Sequence, residues 1–214
     1  MIKIGQYDHK YVNNGVRLPS VTTILGVVAK PQLIAWANQQ GLNGINIKED
    51  HNATDIGTVL HAYIEGYLTN QDVDDSGITE QQKNVVSSLF LKFTEWHDAH
   101  ETEFYGSEVS LTGSEYGGTI DAIMQIDGKW TIMDWKTSKA IQPDYFSQIS
   151  AYHRLFSEEY KEPEIEQFGI LLLPKEDDRI EFKTISVGSP EFDKAHDYFQ
   201  ACLNLYKAKR NLKF

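Results

Sequence analysis

Gly117-Gly118-Thr119-Ile120-Asp121-Ala122-Ile123-Met124-Gln125-Ile126, then Asp127-Gly128, then Lys129-Trp130-Thr131-Ile132-Met133-Asp134-Trp135-Lys136, is the stretch that decides the fold. Both flanks alternate and are rich in β-formers, and Asp-Gly between them is a strong two-residue hairpin signal. With Asp127-Gly128 as the turn, Ile126 faces Lys129, and counting back sets Asp121 directly opposite Asp134. Like charges facing each other across a strand pair are destabilising. The rest of the hairpin is apolar, at Ile120, Ile123, Met124, Ile132 and Met133. A positive group is therefore expected between the two carboxylates. Lys136 lies two residues after Asp134 and shares its face, because strand side chains alternate with period two. Two carboxylates and a lysine on one face of an apolar hairpin point to a divalent-metal site with a cation beside it.

Working outward, further strands are expected at residues 102–112, 167–173 and 179–187, with a short opening strand pattern over residues 1–11. Pro31 opens a helix over residues 31–40 that stops at Gly41, and residues 44–54 read as a loop. Asp55 can cap a helix reaching Leu68, whose apolar face carries Val59, Leu60, Tyr63, Ile64 and Tyr67. Residues 70–77 read as an acidic loop. Thr79-Glu80-Gln81-Gln82 has capping-box spacing and opens a helix to about His100. Pro143 starts another helix, and Ser189-Pro190-Glu191 caps the last one. Helices, three strands, helix, two strands, helix is the order of a mixed central sheet flanked by helices, an α/β (α+β) chain. One domain over residues 1–214 is expected, mainly helical over 1–100 and with the sheet core in 101–214.

Composition narrows the class. The 214 residues are 41% apolar and 12% aromatic, which supports a sizeable core and argues against disorder. Cys202 is the single cysteine, so no internal disulfide and no four-cysteine zinc or iron–sulfur site can form. The longest apolar stretches, residues 21–29 and 169–173, fall well short of a membrane span, and the chain reads as cytoplasmic with no membrane partner. The net charge of −11 counts against broad polyanion binding. It does not exclude a nucleic-acid enzyme, because a site built of carboxylates is acidic until metal fills it. Lys207, Lys209, Arg210 and Lys213 crowd the C-terminal end, where cations favour the helix dipole.

Further polar groups fall at spacings that could join the hairpin. Gly57, His61 and Glu65 recur every four residues and so line one stripe of a helix. A neutral imidazole is a good ligand for a divalent ion. Taken alone the stripe is more readily a polar helix face, but together with the hairpin it favours His61 as a ligand and leaves Glu65 evenly balanced. Gln148 and Tyr152 sit one helical turn apart, where they could hold a phosphate or a strand end. Glu108, on the strand before the hairpin, could add a carboxylate, although Asp and Glu number 31 and most must be surface charge. Gly-x-Ser-x-Gly, Gly-x-x-x-x-Gly-Lys-[Ser/Thr], Gly-x-Gly-x-x-Gly and His-Glu-x-x-His are all absent from the sequence. Serine hydrolase, P-loop, dinucleotide-enzyme and zincin readings lose support accordingly.

Gly57-x3-His61, Gly118-x-x-Asp121, Asp134-Trp135-Lys136-Thr137 and Gln148-x3-Tyr152 together resemble the PD-(D/E)XK nuclease superfamily, with the RecB-like exonuclease branch the nearest match. The resemblance runs from Gly57 to Tyr152 and implies a restriction-endonuclease-like core with a helical N-terminal elaboration. It also implies a nuclease dependent on Mg²⁺ or Mn²⁺, with DNA as partner. By similarity, His61, Asp121, Asp134 and the backbone carbonyl of Trp135 would bind metal, with Glu65 or Glu108 a further candidate. Lys136 would orient or activate the attacking water, and Gln148 and Tyr152 would line the site near the scissile phosphate. Two points depart from the family pattern. The acid before the lysine is Asp134 rather than the commoner Glu, and one cysteine rules out the iron–sulfur subgroup.

The residues carry the same chemistry without the family. Phosphodiester hydrolysis needs a nucleophile at neutral pH, and a bound divalent ion supplies one by lowering the pKa of its water. Oxygen ligands such as Asp121 and Asp134 suit Mg²⁺ or Mn²⁺, and one imidazole tilts the set towards Mn²⁺. Lys136 offers fixed positive charge where negative charge develops. The leading expectation is an exonuclease acting on linear or single-stranded DNA ends. An endonuclease of the same fold, a non-catalytic DNA-binding or interaction module of a recombination complex, and a different metallohydrolase are its rivals. Ser20, Thr22, Thr23, Lys30 and Trp36 supply hydroxyl, cationic and aromatic groups of the kind that hold single strands.

Overall fold

A computed structural model describes residues 1–28, Leu42 and residues 55–212. The helix expected over 31–40 with its stop at Gly41, the loop over 44–54, and Lys30, Trp36 and Lys213 lie outside the described residues.

The centre of the molecule is the predicted hairpin, β6 (Gly117–Ile126) and β7 (Lys129–Lys136), extended by β5 (Thr102–Thr112), β8 (Gln167–Leu172) and β9 (Glu181–Ser186). The five strands lie in the order β5-β6-β7-β8-β9. Every neighbouring pair is antiparallel except β7 with β8, which is parallel. A parallel neighbour needs a crossover, and α4 (Pro143–Glu159) supplies it. Asp127 and Gly128 both have positive φ, 48° and 83°, as a two-residue turn of the primed kind requires. Ile126 pairs with Lys129 as the turn dictates.

Helices cover both faces of this sheet, so its central strands read as nearly continuous apolar runs rather than clean alternation. On one face, α1 (Val21–Leu25), α4 and α5 (Pro190–Asn211) pack Ile24, Ile149, Phe156 and Phe199 against Ile123, Ile132 and Phe168. On the other, α2 (Ile56–Thr69) and α3 (Glu80–Asp98) pack Leu60, Ile64, Leu89 and Phe93 against Met124, Met133 and Leu171. The mixed sheet between helical layers is the architecture expected from the order of elements.

Of the three side-chain caps expected, at Asp55, Thr79 and Ser189, two form. Thr79 accepts from the Gln82 amide while Gln82 accepts from the Thr79 amide, closing the capping box of α3. Ser189 accepts from the Phe192 amide and starts α5. Asp55 stands at the N-cap of α2, yet its side chain makes no cap hydrogen bond and turns to Lys175, 3.3 Å away.

The N-terminal stretch corrects the expected opening strand. β1 (Ile2–Lys3) pairs in parallel with β4 (Val73–Asp74), a short strand inside the segment expected to be loop. β2 (Tyr11–Asn13) and β3 (Val16–Leu18) form a small hairpin, and residues 4–10, between β1 and β2, are not strand.

Candidate functional site

The β6–β7 ladder is regular from Ile126–Lys129 up to Ala122–Met133 and ends there. Beyond that point β7 continues against β8, and the first half of β6 stays with β5 alone. The expectation that Asp121 and Asp134 would face each other as a ladder pair is thus corrected by one step. The Asp121 carboxylate accepts a hydrogen bond from the Trp135 amide at 2.9 Å, so a side chain stands where the backbone pairing would have continued. Glu108, on the other side of β6, has φ of 50°, a conformation that non-glycine residues seldom adopt. The ladders on both sides of β6 skip Asp121, and a cleft opens where the strands part.

Groups from α2, β5, β6 and β7 meet in that cleft. From α2, His61 brings Nε2 to 3.2 Å from the Trp135 carbonyl oxygen and Nδ1 to 3.7 Å from Asp121 Oδ1. One ligand atom each from His61, Glu108 and Asp121 lie within 4.8 Å of one another. The Trp135 indole packs edge-on against Phe93 in the α2–α3 layer, which leaves its carbonyl at the cleft. Glu65 lines the same cavity one turn along the stripe from His61, where the Tyr7 hydroxyl donates to it. The stripe Gly57, His61, Glu65 is therefore real in space for its last two members. A Cβ on Gly57 would instead come 3.0 Å from an Asp55 carboxylate oxygen and 3.6 Å from Thr137 Oγ1.

Asp134 and Lys136 form a pair of their own. Lys136 Nζ stands 2.5 Å from Asp134 Oδ2, so the lysine belongs to one carboxylate rather than bridging both. Asp134 is 1% exposed, and neither of its oxygens has a well-directed hydrogen bond. Burial pushes the Asp134 carboxyl above its usual range, and Lys136 opposes that shift. Burial works against the charge of Lys136, but the Asp134 and Asp121 carboxylates outweigh it and hold the ammonium above the ordinary lysine value. The ammonium also lies over the Tyr145 ring, 5.0 Å from its centroid.

Glu108 reports how crowded the acids are. Burial first, then Asp121 and Glu65, raise its carboxyl to about 8. A divalent cation is what relieves such repulsion. The donor set fits Mg²⁺ or Mn²⁺: two carboxylates, a backbone carbonyl and one imidazole at the open end of a buried lysine–aspartate pair.

From α4, Gln148 Nε2 donates to the Tyr152 hydroxyl at 2.8 Å, and both side chains line the cavity. Tyr152 can reach this far because Gly118 has no side chain: a Cβ there would come within 2.3 Å of its ring. Ser20 and Thr22 line the cavity too, and the Ser20 hydroxyl lies 2.9 Å from Thr22 Oγ1 and 2.8 Å from Thr23 Oγ1. At the C-terminal end, Lys207 is paired with Glu115.

With the geometry in place, the family comparison is direct. A family model described as the PD-(D/E)XK nuclease superfamily matches residues 35–213. The chain belongs to that superfamily. Membership means a family of nucleases that use divalent metals, with DNA as the implied substrate. No curated protein matches the sequence. Among solved structures, the crystal structure of SSO0001 is similar at 17% identity, covering 73% of this chain and 70% of that one, with a TM-score of 0.35. Among the described residues no helix is long and apolar enough to cross a membrane.

Sequence reading missed one part of the site. Lys3, Gly5, Tyr7, His9 and Tyr11 line the same cavity as His61 and Lys136. All lie in the stretch expected to be a simple strand. The only available signal was its unusual run of Tyr, His and Gly at residues 5–11.

Proposed function

We propose that this chain is a metal-dependent deoxyribonuclease of the RecB-like branch, an exonuclease that hydrolyses phosphodiester bonds at linear or single-stranded DNA ends. The observation that carries the reading is the convergence of His61, Glu108 and Asp121 beside the buried Asp134–Lys136 pair. His61, Asp121, Glu108 and the Trp135 carbonyl would hold Mg²⁺ or Mn²⁺, with Asp134 turning from Lys136 to join them and Glu65 in reserve. When bound, the ion lowers the pKa of its water and neutralises charge on the phosphate.

The chain's own groups account for the rest. Lys136 holds a fixed positive charge beside the carboxylates, where it orients the attacking water and offsets charge developing on the phosphate. Gln148 fixes the Tyr152 hydroxyl so that the two present donors towards the strand end. The cavity they share is about 330 Å³, near the low end of small-molecule sites at roughly 300 Å³, which suits the reacting end of one strand. We take residues 1–214 as one nuclease domain working in the cytoplasm, a setting that suits a chain whose one cysteine, Cys202, is buried and free.

The test is cleavage of end-labelled linear DNA and of closed circular DNA with Mg²⁺ or Mn²⁺. Short products from linear DNA, with circles intact, is the expected result. Ready cutting of closed circles, lost in Asp134→Asn, would move the chain to the endonucleases. No metal-dependent cleavage of any DNA would leave a non-catalytic binding module.

A further inference from the structure

Residues 4–10 run along the cleft, with Gly5, Tyr7 and His9 lining its cavity, as a strap that is fastened at both ends. At one end, β1 pairs with β4, Ile2 beside Val73 and Lys3 beside Asp74. At the other, Tyr11 is 3% exposed and fills the space that Gly117 leaves open, and its hydroxyl lies 2.9 Å from Thr119 Oγ1. Ser20 forms a bridge with Gly117 just beyond. Between these anchors the strap touches the site through two side chains. The Tyr7 hydroxyl donates to Glu65, and His9 Nδ1 lies 3.3 Å from Thr119 Oγ1. Gly5 and His9 both have positive φ, 69° and 43°, and mark where the chain turns on and off this path. The strap lies outside residues 35–213, the part that matches the family model.

The contact chemistry of the strap suits a nucleotide. The Tyr7 and His9 rings are 6.3 Å apart at 43°, and Tyr7 is 38% exposed towards the cavity it lines. Gln148 and Tyr152 from α4 line the same cavity. Aromatic faces take any base by stacking, without reading its sequence. A cation at Lys3, on the same cavity, can meet a backbone phosphate.

We infer that this strap is the specificity element of the site: Tyr7 and His9 close the cleft to a width that admits one polynucleotide strand and stack on the base nearest the metal centre. The inference rests on the nuclease reading above and adds to it what excludes the duplex. Removing the two rings should widen the mouth without disturbing the anchors at β1 and Tyr11.

The test is binding rather than cleavage, so that it stands apart from the test of the reaction. In a Lys136→Ala background with Mn²⁺, fluorescence anisotropy compares a labelled single-stranded 12-mer with its duplex. Single-strand preference is expected, and Tyr7→Ala/His9→Ala should reduce it by about tenfold, the scale of losing aromatic stacking on a base. A second measurement uses the unaltered chain without divalent ion. Trypsin cleavage after exposed Lys10 should slow with the single strand and stay unchanged with the duplex. An unchanged preference in the double variant, equal binding of single strand and duplex before substitution, or no protection at Lys10 would each overturn the strap assignment. Whether linear DNA is cleaved at all is read from the unaltered chain and decides only the reaction.

Discussion

The two ends of the β6–β7 hairpin obey different rules. At the turn end, Asp127-Gly128 sets the register, and Ile126–Lys129, Gln125–Trp130 and Met124–Thr131 pair as the turn requires. At the other end the ladder stops after Ala122–Met133, and a carboxylate takes the amide that a carbonyl would have taken. The turn end keeps one backbone pairing, even though the Glu166 carboxylate accepts from the Trp130 amide and the Thr131 hydroxyl donates to the Lys129 carbonyl. The open end does not, because Asp121, Asp134, Glu108 and Lys136 all crowd the point where the strands part. Regular pairing holds the hairpin; broken pairing aims its acids. This division makes effects separable: substitutions at the open end should change chemistry, and those at the turn end stability.

The largest effect is expected at the acids. Asp121→Asn or Asp134→Asn should abolish metal-dependent cleavage. Asp121→Asn should leave the metal-free chain folded, since it removes charge from a cluster that repels itself, whereas Asp134→Asn leaves the buried Lys136 ammonium without its partner and should lower metal-free stability. Mn²⁺ should raise the Tm of the unaltered chain and far less that of either variant, because a ligand bound only by the native state stabilises it. Calorimetry with and without Mn²⁺, beside a cleavage assay, checks both halves. Full activity in either variant would break the comparison at its open end.

Lys136 and His61 should differ in kind. Lys136→Ala should lose roughly a hundredfold in rate, as expected for a preorganised charge, while keeping the Mn²⁺-induced rise in Tm. His61→Ala should weaken metal affinity instead, so excess Mn²⁺ restores part of its rate. Titrating rate against Mn²⁺ concentration separates them. If Lys136→Ala is the one rescued by metal, the two roles are exchanged.

A smaller effect follows from Glu108. Its folded carboxyl, raised to about 8 by burial and by Asp121 and Glu65, holds a proton that the unfolded chain has released by about pH 5. The folded state then binds more protons, so metal-free stability is full at low pH and falls as pH rises towards about 8. Asp134, also raised by burial, acts in the same direction. Glu108→Gln should flatten the part of that slope that Glu108 supplies, measured as Tm against pH without metal. An unchanged slope would place Glu108 outside the acid cluster. Mn²⁺ affinity should rise with pH over the same range, since the ion must displace that proton.

How much could be read beforehand follows the same division. The turn, the capped helix starts at Thr79 and Ser189, the proline start at Pro143, and the strands were legible, because each rests on a few neighbouring residues. His61, Gln148 and Tyr152 were legible as helical stripes, and the cavity does collect them. The parting of β6 from β7 was not, because a carboxylate competing for an amide has no periodic signature. The role of Glu108 was only one among 31 acids until its neighbours were known. Asp55 shows the converse error: its position at a helix start was legible, but Lys175, 120 residues away, takes its side chain. The strap was missed for a similar reason, since its partners Glu65 and Thr119 are distant in sequence.

The smallest effect belongs to the turn itself. Gly128 has φ of 83°, and a Cβ there would meet nothing within 4 Å, so the cost of Gly128→Ala is backbone strain alone. That strain is about 1–2 kcal/mol for an L-residue held in the left-handed region. For a chain of this length it should lower Tm by roughly 5 °C. Because the ladder between the turn and Ala122–Met133 is continuous, the open end should keep its geometry. Cleavage rate and the Mn²⁺-induced rise in Tm should therefore match the unaltered chain at a temperature where both are folded. A loss of rate without a matching loss of stability would mean that the turn and the acids are mechanically coupled through the strands, and the separation between the two ends would fail.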